Sequence, residues 1–249
     1  MLETRDLTIG YAGHTVLDRL DLRLEPEALT VLIGANGSGK STLLRTLCGT
    51  QPALGGEVLL DGQPVGSYTP ARMARRMALV LTDRRGGGGL RVRELVAIGR
   101  HPYSGFLGRL SRTDRAVIDD ALHAVGLDRK ADDFVASLSD GERQKAMIAR
   151  AVAQDTPLIV LDEPTAFLDV SARFEVMGLL ADQCRKHGKT ILLSSHDIAP
   201  SLAVAQRLWA VTGGTVAAGT PAALAADGTM DRIYTGVRFN PARSDYESL

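Results

Sequence analysis

The sequence has no net charge. Lys and Arg number 29, and so do Asp and Glu. Bulk electrostatic attraction to nucleic acid or to acidic lipid is therefore not indicated. Long apolar runs are missing too: none approaches the ~20 residues that a membrane-spanning helix needs. The opening "MLETRDLTIG" carries charges where a signal peptide needs an apolar stretch. The chain reads as cytosolic, without a signal peptide, and any membrane role must come through a partner. Cysteine is scarce. Cys48 and Cys184 show no metal-ligand spacing and read as reduced, partly buried thiols. Aromatics are few as well, with one Trp, five Tyr and five Phe among 249 residues. An aromatic placed in a turn therefore stands out. The length suits one large domain or two lobes sharing a core, and no internal repeat or long linker divides it.

What is present is a set of short β-branched or Leu-rich runs: "LTVLI" (Leu29–Ile33), "MALVL" (Met77–Leu81), "LIVLD" (Leu158–Asp162) and "TILLS" (Thr190–Ser194). Polar or turn residues bound each run and helical patterns lie between them, which argues for a parallel sheet covered on both faces. The N-terminal "TRDLTIGY", "VLDRLDLRL" and "GEVLLDG" alternate without helices and suggest an antiparallel β lobe. Gly213-Gly214 between two short runs is a two-residue hairpin signal. Residues 90–153 read as a mostly helical insertion, and 230–249 as a short tail. "RRGGGG" (Arg84–Gly89) reads as a flexible joint.

"GANGSGKS" (Gly34–Ser41) fits G-x-x-x-x-G-K-[ST] directly after a strand and at the start of a helix. Its glycines let backbone N–H groups wrap phosphate oxygens, Lys40 can reach the terminal phosphates, and the Ser41 hydroxyl can ligate Mg2+. "LIVLDEP" sets two carboxylates at a strand exit. Asp162 is placed to hold Mg2+, and Glu163 to polarise a water that attacks the terminal phosphate. His196 ends another strand, and ligands of α/β sheets sit beyond the carboxyl ends of strands. It is a candidate γ-phosphate or water contact. Tyr11, in the turn "IGYAGH", is either a stacking platform for a base or a partly buried loop residue. In "SLSDGERQKAMIARA" (Ser137–Ala151), Ser139 and Glu142 have capping-box spacing. Such a helix start is a structural cap or an anion site.

Taken in order, Tyr11, "GANGSGKST", "LSDGERQ", "LIVLDEPT", "AFLD" and "SSHD" resemble the motifs of ABC transporter ATP-binding subunits. The resemblance runs from the Tyr11 turn to about Leu224. It implies one ABC ATPase domain over 1–249 with an α/β fold: a P-loop NTPase with a RecA-like core, an N-terminal antiparallel β lobe and an inserted α-helical subdomain. It implies ATP and Mg2+ as cofactors, and a homodimer with ATP sandwiched head to tail. ATP contacts then fall to Tyr11, Gly34, Asn36, Gly37, Ser38, Gly39, Lys40, Ser41 and Thr42, with Ser139, Gly141 and Glu142 reaching across the dimer. Glu163, His196 and Lys40 are the catalytic set. Asp169 belongs to the loop joining the two sites. Two positions depart from the pattern. Asp140 replaces the first Gly of the LSGGQ signature. Asp83 follows the "MALVL" strand where the family has a Gln, and is expected, with Ser41 and Asp162, at the metal.

Each motif occurs once and no long heptad segment is present, which leaves a separate motor subunit for a multi-spanning permease. "RVRELVAIGRHPYSGFLGRLSRTDR" and the late "GTPAAL" resemble importers of iron chelates (siderophores), haem and cobalamin. The expected place is the cytoplasmic face of the cell membrane, peripherally bound, with a substrate-binding protein as an indirect partner and no nucleic acid. The alternatives are a zinc or manganese importer ATPase and a soluble ABC ATPase without a permease. Tyr103, Phe106 and Leu107 are expected either to receive a permease helix or to form a local mini-core.

Overall fold

A computed structural model describes residues 1–81, 89–105, 108–166, 168–234, 237–240 and 245–248. Asp83, Phe106 and Leu107 lie outside the described residues. The chain runs through β1 (Leu2–Tyr11), β2 (His14–Leu20), β3 (Leu29–Ile33), α1 (Lys40–Leu47), β4 (Gly55–Leu60), β5 (Gln63–Pro64), α2 (Pro70–Met73) and β6 (Met77–Val80). It continues with α3 (Val92–Ala97), α4 (Arg112–Ala124), α5 (Asp140–Ala153), β7 (Leu158–Leu161), α6 (Val170–His187), β8 (Thr190–Ser195) and α7 (Ile198–Val204). It closes with β9 (Arg207–Thr212), β10 (Thr215–Gly219), α8 (Pro221–Ala226), β11 (Val237–Asn240) and β12 (Asp245–Ser248). Among the described residues no helix is long and apolar enough to cross a membrane.

The central sheet has the order β10-β9-β3-β8-β7-β6. It is parallel from β9 to β6, with β10 added antiparallel at the edge. Its strands read as continuous apolar runs because each face is covered. On β3, Leu29, Val31 and Ile33 enter one core with Val92, Leu95, Ile118, Leu122 and Ile148 of α3–α5 and with α6. Leu32, between them, enters a second core with Leu43, Leu44 and Leu47 of α1 and with Ile9 and Leu17 of the N-terminal sheet. β7 and β8 alternate the same way, Ile159, Leu161, Ile191 and Leu193 to one core and Leu158, Val160 and Leu192 to the other.

The second sheet, β2-β1-β4-β5, is antiparallel. It falls short of the expected run "VLDRLDLRL". Strand β2 stops at Leu20, Arg19 takes a φ of +48°, and Arg23 makes only an isolated bridge to Glu3. Gly213 and Gly214, both at positive φ, join β9 to β10 as the sequence implies.

The helices α3–α5 are tied to the sheet by polar contacts. Arg150 donates to the Leu79 carbonyl at 3.2 Å, and Gln154 Nε2 to the Ala74 and Met77 carbonyls at 2.7 and 3.1 Å. Inside the lobe, the buried Arg100 Nε meets Asp114 Oδ1 at 2.8 Å and donates from Nη1 to the Ala153 carbonyl at 2.9 Å. The described residues of the short tail, 230–249, include a pair of strands. β11 pairs with β12, Tyr246 makes edge contacts with Tyr234 and Phe239, and its hydroxyl donates to the Met230 carbonyl at 2.7 Å.

Candidate active site

Strands β3, β8 and β7 are neighbours, and their carboxyl ends deliver three sets of polar groups to one place. After β3 the chain turns through Gly34–Gly39 into α1. Gly37 and Gly39 have φ of +77° and +101°, a region that L side chains rarely enter. A Cβ on Gly39 would lie 2.5 Å from Val16 Cγ1, so the loop and β2 approach too closely for any other residue. Ser38 Oγ is buried without a hydrogen-bond partner among the described residues.

The Lys40 ammonium is buried and donates to the Gly34 and Ala35 carbonyls at 2.8 and 3.1 Å. Burial lowers its pKa, while the carboxylates of Glu163 and Asp162 act in the opposite sense. Next on the helix, Ser41 Oγ donates to Asp162 Oδ1 at 3.0 Å across 121 residues of sequence. Glu163 has a φ of +49°, a strained conformation at a strand exit. Its carboxylate Oε2 lies 2.9 Å from His196 Nδ1. The structure thus brings Lys40, Ser41, Asp162, Glu163 and His196 into one cluster. A buried cation, a hydroxyl beside a carboxylate, and a second carboxylate beside an imidazole can bind a metal-bound phosphate and activate water.

Other expected site residues sit as follows. Tyr11 is 54 % exposed, with its hydroxyl 3.3 Å from Thr42 Oγ1. Ser139 caps α5, accepting from the Glu142 N–H at 3.3 Å, while Glu142 Oε2 accepts from Ser139 N at 3.1 Å. Glu142 is also paired with Lys130 at 2.6 Å, and this bond is the main reason its pKa is lowered. Asp140 pairs with Arg143 at 3.0 Å. Asp169 caps α6 through the Ala172 N–H at 2.8 Å.

Sequence reasoning missed two groups. Ser194 Oγ donates to Asp162 Oδ1 at 2.7 Å and accepts from Glu163 N at 2.9 Å. Asp197 accepts from Thr165 Oγ1 at 2.9 Å and is paired with Arg173. The available signal was "TILLSSHD" itself, where a buried strand turns polar two residues before His196.

A profile of the ABC transporter family matches residues 17–166. The achromobactin transport ATP-binding protein of Dickeya dadantii is 38% identical over 94% of this chain and 87% of its own length. The ferric enterobactin transport ATP-binding protein of Escherichia coli is 36% identical over 94% of this chain and 86% of its own. Among solved structures, a dimeric bacterial ABC transporter cassette matches with a TM-score of 0.78 at 25% identity, covering 88% of this chain and 98% of that one. With its phosphate loop, its carboxylate pair and these relatives, the chain belongs to the ABC transporter family as one of its ATP-binding, ATP-hydrolysing subunits.

Proposed function

We propose that the chain is the motor of a ferric-chelate importer, working as a head-to-tail homodimer on a separate multi-spanning permease. It would sit peripherally at the cytoplasmic membrane face, with a substrate-binding protein supplying the permease. The choice of cargo rests on the relatives, whose names specify achromobactin and ferric enterobactin transport. The observation that carries the mechanism is the continuous cluster from Lys40 and Ser41 through Asp162 and Glu163 to His196.

In this reading Lys40 turns from the Gly34 and Ala35 carbonyls to the terminal phosphates. Ser41 and Asp162 offer hard oxygen donors 3.0 Å apart and would hold Mg2+. When bound, Mg2+ draws charge off the phosphoryl oxygens. Glu163 takes the proton of the attacking water, and His196 holds Glu163 and the γ-phosphate in line. Gly34, Asn36, Gly37, Ser38, Gly39 and Thr42 line the phosphates, and the half-exposed Tyr11 ring stacks on the base.

The partner's nucleotide is read by Ser139, Gly141 and Glu142. Among the described residues a Cβ on Gly141 would meet only Leu168 Cδ2, at 3.6 Å, so packing among them does not require the glycine. Its bareness instead suits close approach of something from outside. Arg143 offsets the charge of Asp140 beside that site. The permease contact in this reading falls on residues 90–115, where Tyr103 is partly exposed and has the Arg100 and Arg75 guanidinium groups 4.1 and 5.5 Å from its ring centre.

Uptake assays test the cargo. Cells lacking this chain are given it back as wild type or as Glu163→Gln, then supplied with radioiron as ferric siderophore, with haem, with cobalamin, or with zinc or manganese. Restoration of ferric-siderophore uptake by the wild type alone is the expected result. Restoration confined to another cargo, or ATP hydrolysis without any transport defect, contradicts the proposal.

A further inference from the structure

Strand β8 is apolar from Ile191 to Leu193 and then places a serine where another core residue would fit. Ser194 is 0 % exposed. A buried hydroxyl is costly unless it is hydrogen-bonded, and both bonds of this one run to the two acidic residues of the site. It donates to Asp162 Oδ1 at 2.7 Å and accepts from the Glu163 N–H at 2.9 Å. The parallel register explains the meeting. Leu161 pairs with Leu193, so Asp162 and Ser194 are the next residues on neighbouring strands. By alternation both fall on the face of Leu192 and Val160, which α1 also covers, and Ser41 comes from that helix.

Two hydroxyls, Ser41 and Ser194, therefore donate to the same oxygen of Asp162. Donation of this kind fixes a carboxylate's rotamer. The second bond acts on a different problem. Glu163 has a φ of +49°, which a non-glycine residue holds only when its surroundings over-determine it. The Ser194 oxygen anchors that peptide directly, and the Glu163 carboxylate is then aimed at His196.

We propose that Ser194 is a positioning residue that locks the metal-ligating carboxylate of Asp162 and the catalytic carboxylate of Glu163 into one rigid unit. It is fully buried and bonded to both acidic residues, so it acts through them. Its removal loosens both acidic groups at once, so metal affinity and turnover fall together while metal-free nucleotide binding through the Gly34–Ser41 loop stays. The inference rests on the roles proposed above for Asp162 and Glu163.

The test uses Ser194→Ala, Ser194→Cys and Ser194→Thr in the full chain. Cys keeps the shape with a poor hydrogen-bonding group, and Thr keeps the hydroxyl on a side chain that suits a strand. Two readouts are needed: ATP turnover, and the Mg2+ midpoint for protection of the ADP-bound chain against thermal unfolding, which requires no activity. Ala and Cys are expected to raise the midpoint and to lower turnover by about tenfold, as losses of residues supporting metal ligands do, with metal-free ADP binding unchanged. Thr is expected to restore both. Wild-type turnover and midpoint in Cys, or an equal loss of metal-free ADP binding, would overturn the inference. Asp162→Asn and Glu163→Gln run alongside. If these are also silent, the underlying reading of the site fails. If they are impaired while Ser194→Cys is normal, only the role of Ser194 fails.

Discussion

Lys40 combines a buried ammonium with two backbone carbonyl acceptors, and its charge is balanced by two nearby carboxylates. The bonds to Gly34 and Ala35 tie the side chain to its own loop, from which it can exchange carbonyls for phosphate oxygens. A charge-assisted hydrogen bond contributes about 1.5–3 kcal/mol, so Lys40→Ala should weaken ATP binding by about 10–100-fold. Titration with a fluorescent ATP analogue measures this, and unchanged affinity would remove Lys40 from the site. The cysteines behave oppositely. Both are buried, and burial pushes the thiols of Cys48 and Cys184 up to about 12. The folded chain should therefore resist a thiolate-selective disulfide reagent near pH 8, and both thiols should react in denaturant. Rapid labelling of the native chain would contradict their burial.

The central strands were legible as elements because burial on both faces leaves an unbroken apolar run, as in "LTVLI", which is β3 to the residue. Their ends were less so. β6 and β7 stop one residue before the expected Leu81 and Asp162. Ser194 was hidden because the sequence does not show which face a residue of a doubly buried strand takes. The β11–β12 pair escaped notice because its packing depends on isolated aromatics, Phe239 and Tyr246, rather than on a periodic run. The helical lobe has its own hidden polar centre in Arg100 and Asp114, 14 residues apart. Asp114→Ala leaves Arg100 buried without its partner and should cost about 3–5 kcal/mol in chemical denaturation. Its pH dependence follows from a carboxyl lowered from 3.8 to about 2, first by the Ser111 hydroxyl, then by the Ser111 backbone N–H and by Arg100. Because the folded pKa lies below the unfolded one, this stabilisation is complete above about pH 4 and is lost as the pH falls toward 2. The gap between wild type and Asp114→Ala should shrink over that window. A gap independent of pH would assign the loss to packing.

At the scale of the whole molecule, the chain carries an acidic cluster of its own and, apart from it, an exposed helix start capped by Ser139 and Glu142. The head-to-tail dimer proposed above would join the two, each copy closing the other's nucleotide. Ser139→Ala removes an N-cap worth about 1 kcal/mol. If the cap served only α5, the loss would appear as that small drop in stability. In the dimer account it also weakens ATP-driven association, which sedimentation at fixed ATP reads directly. The central claim is that Glu163 activates the water in a site that dimerisation completes. It is tested most directly by measuring turnover, bound nucleotide and mass together for Glu163→Gln in ATP and Mg2+. The account predicts turnover lower by ~10²–10⁴, as for loss of a general base, with ATP retained and the mass of a dimer. Wild-type turnover, or an ATP-loaded monomer, would contradict it.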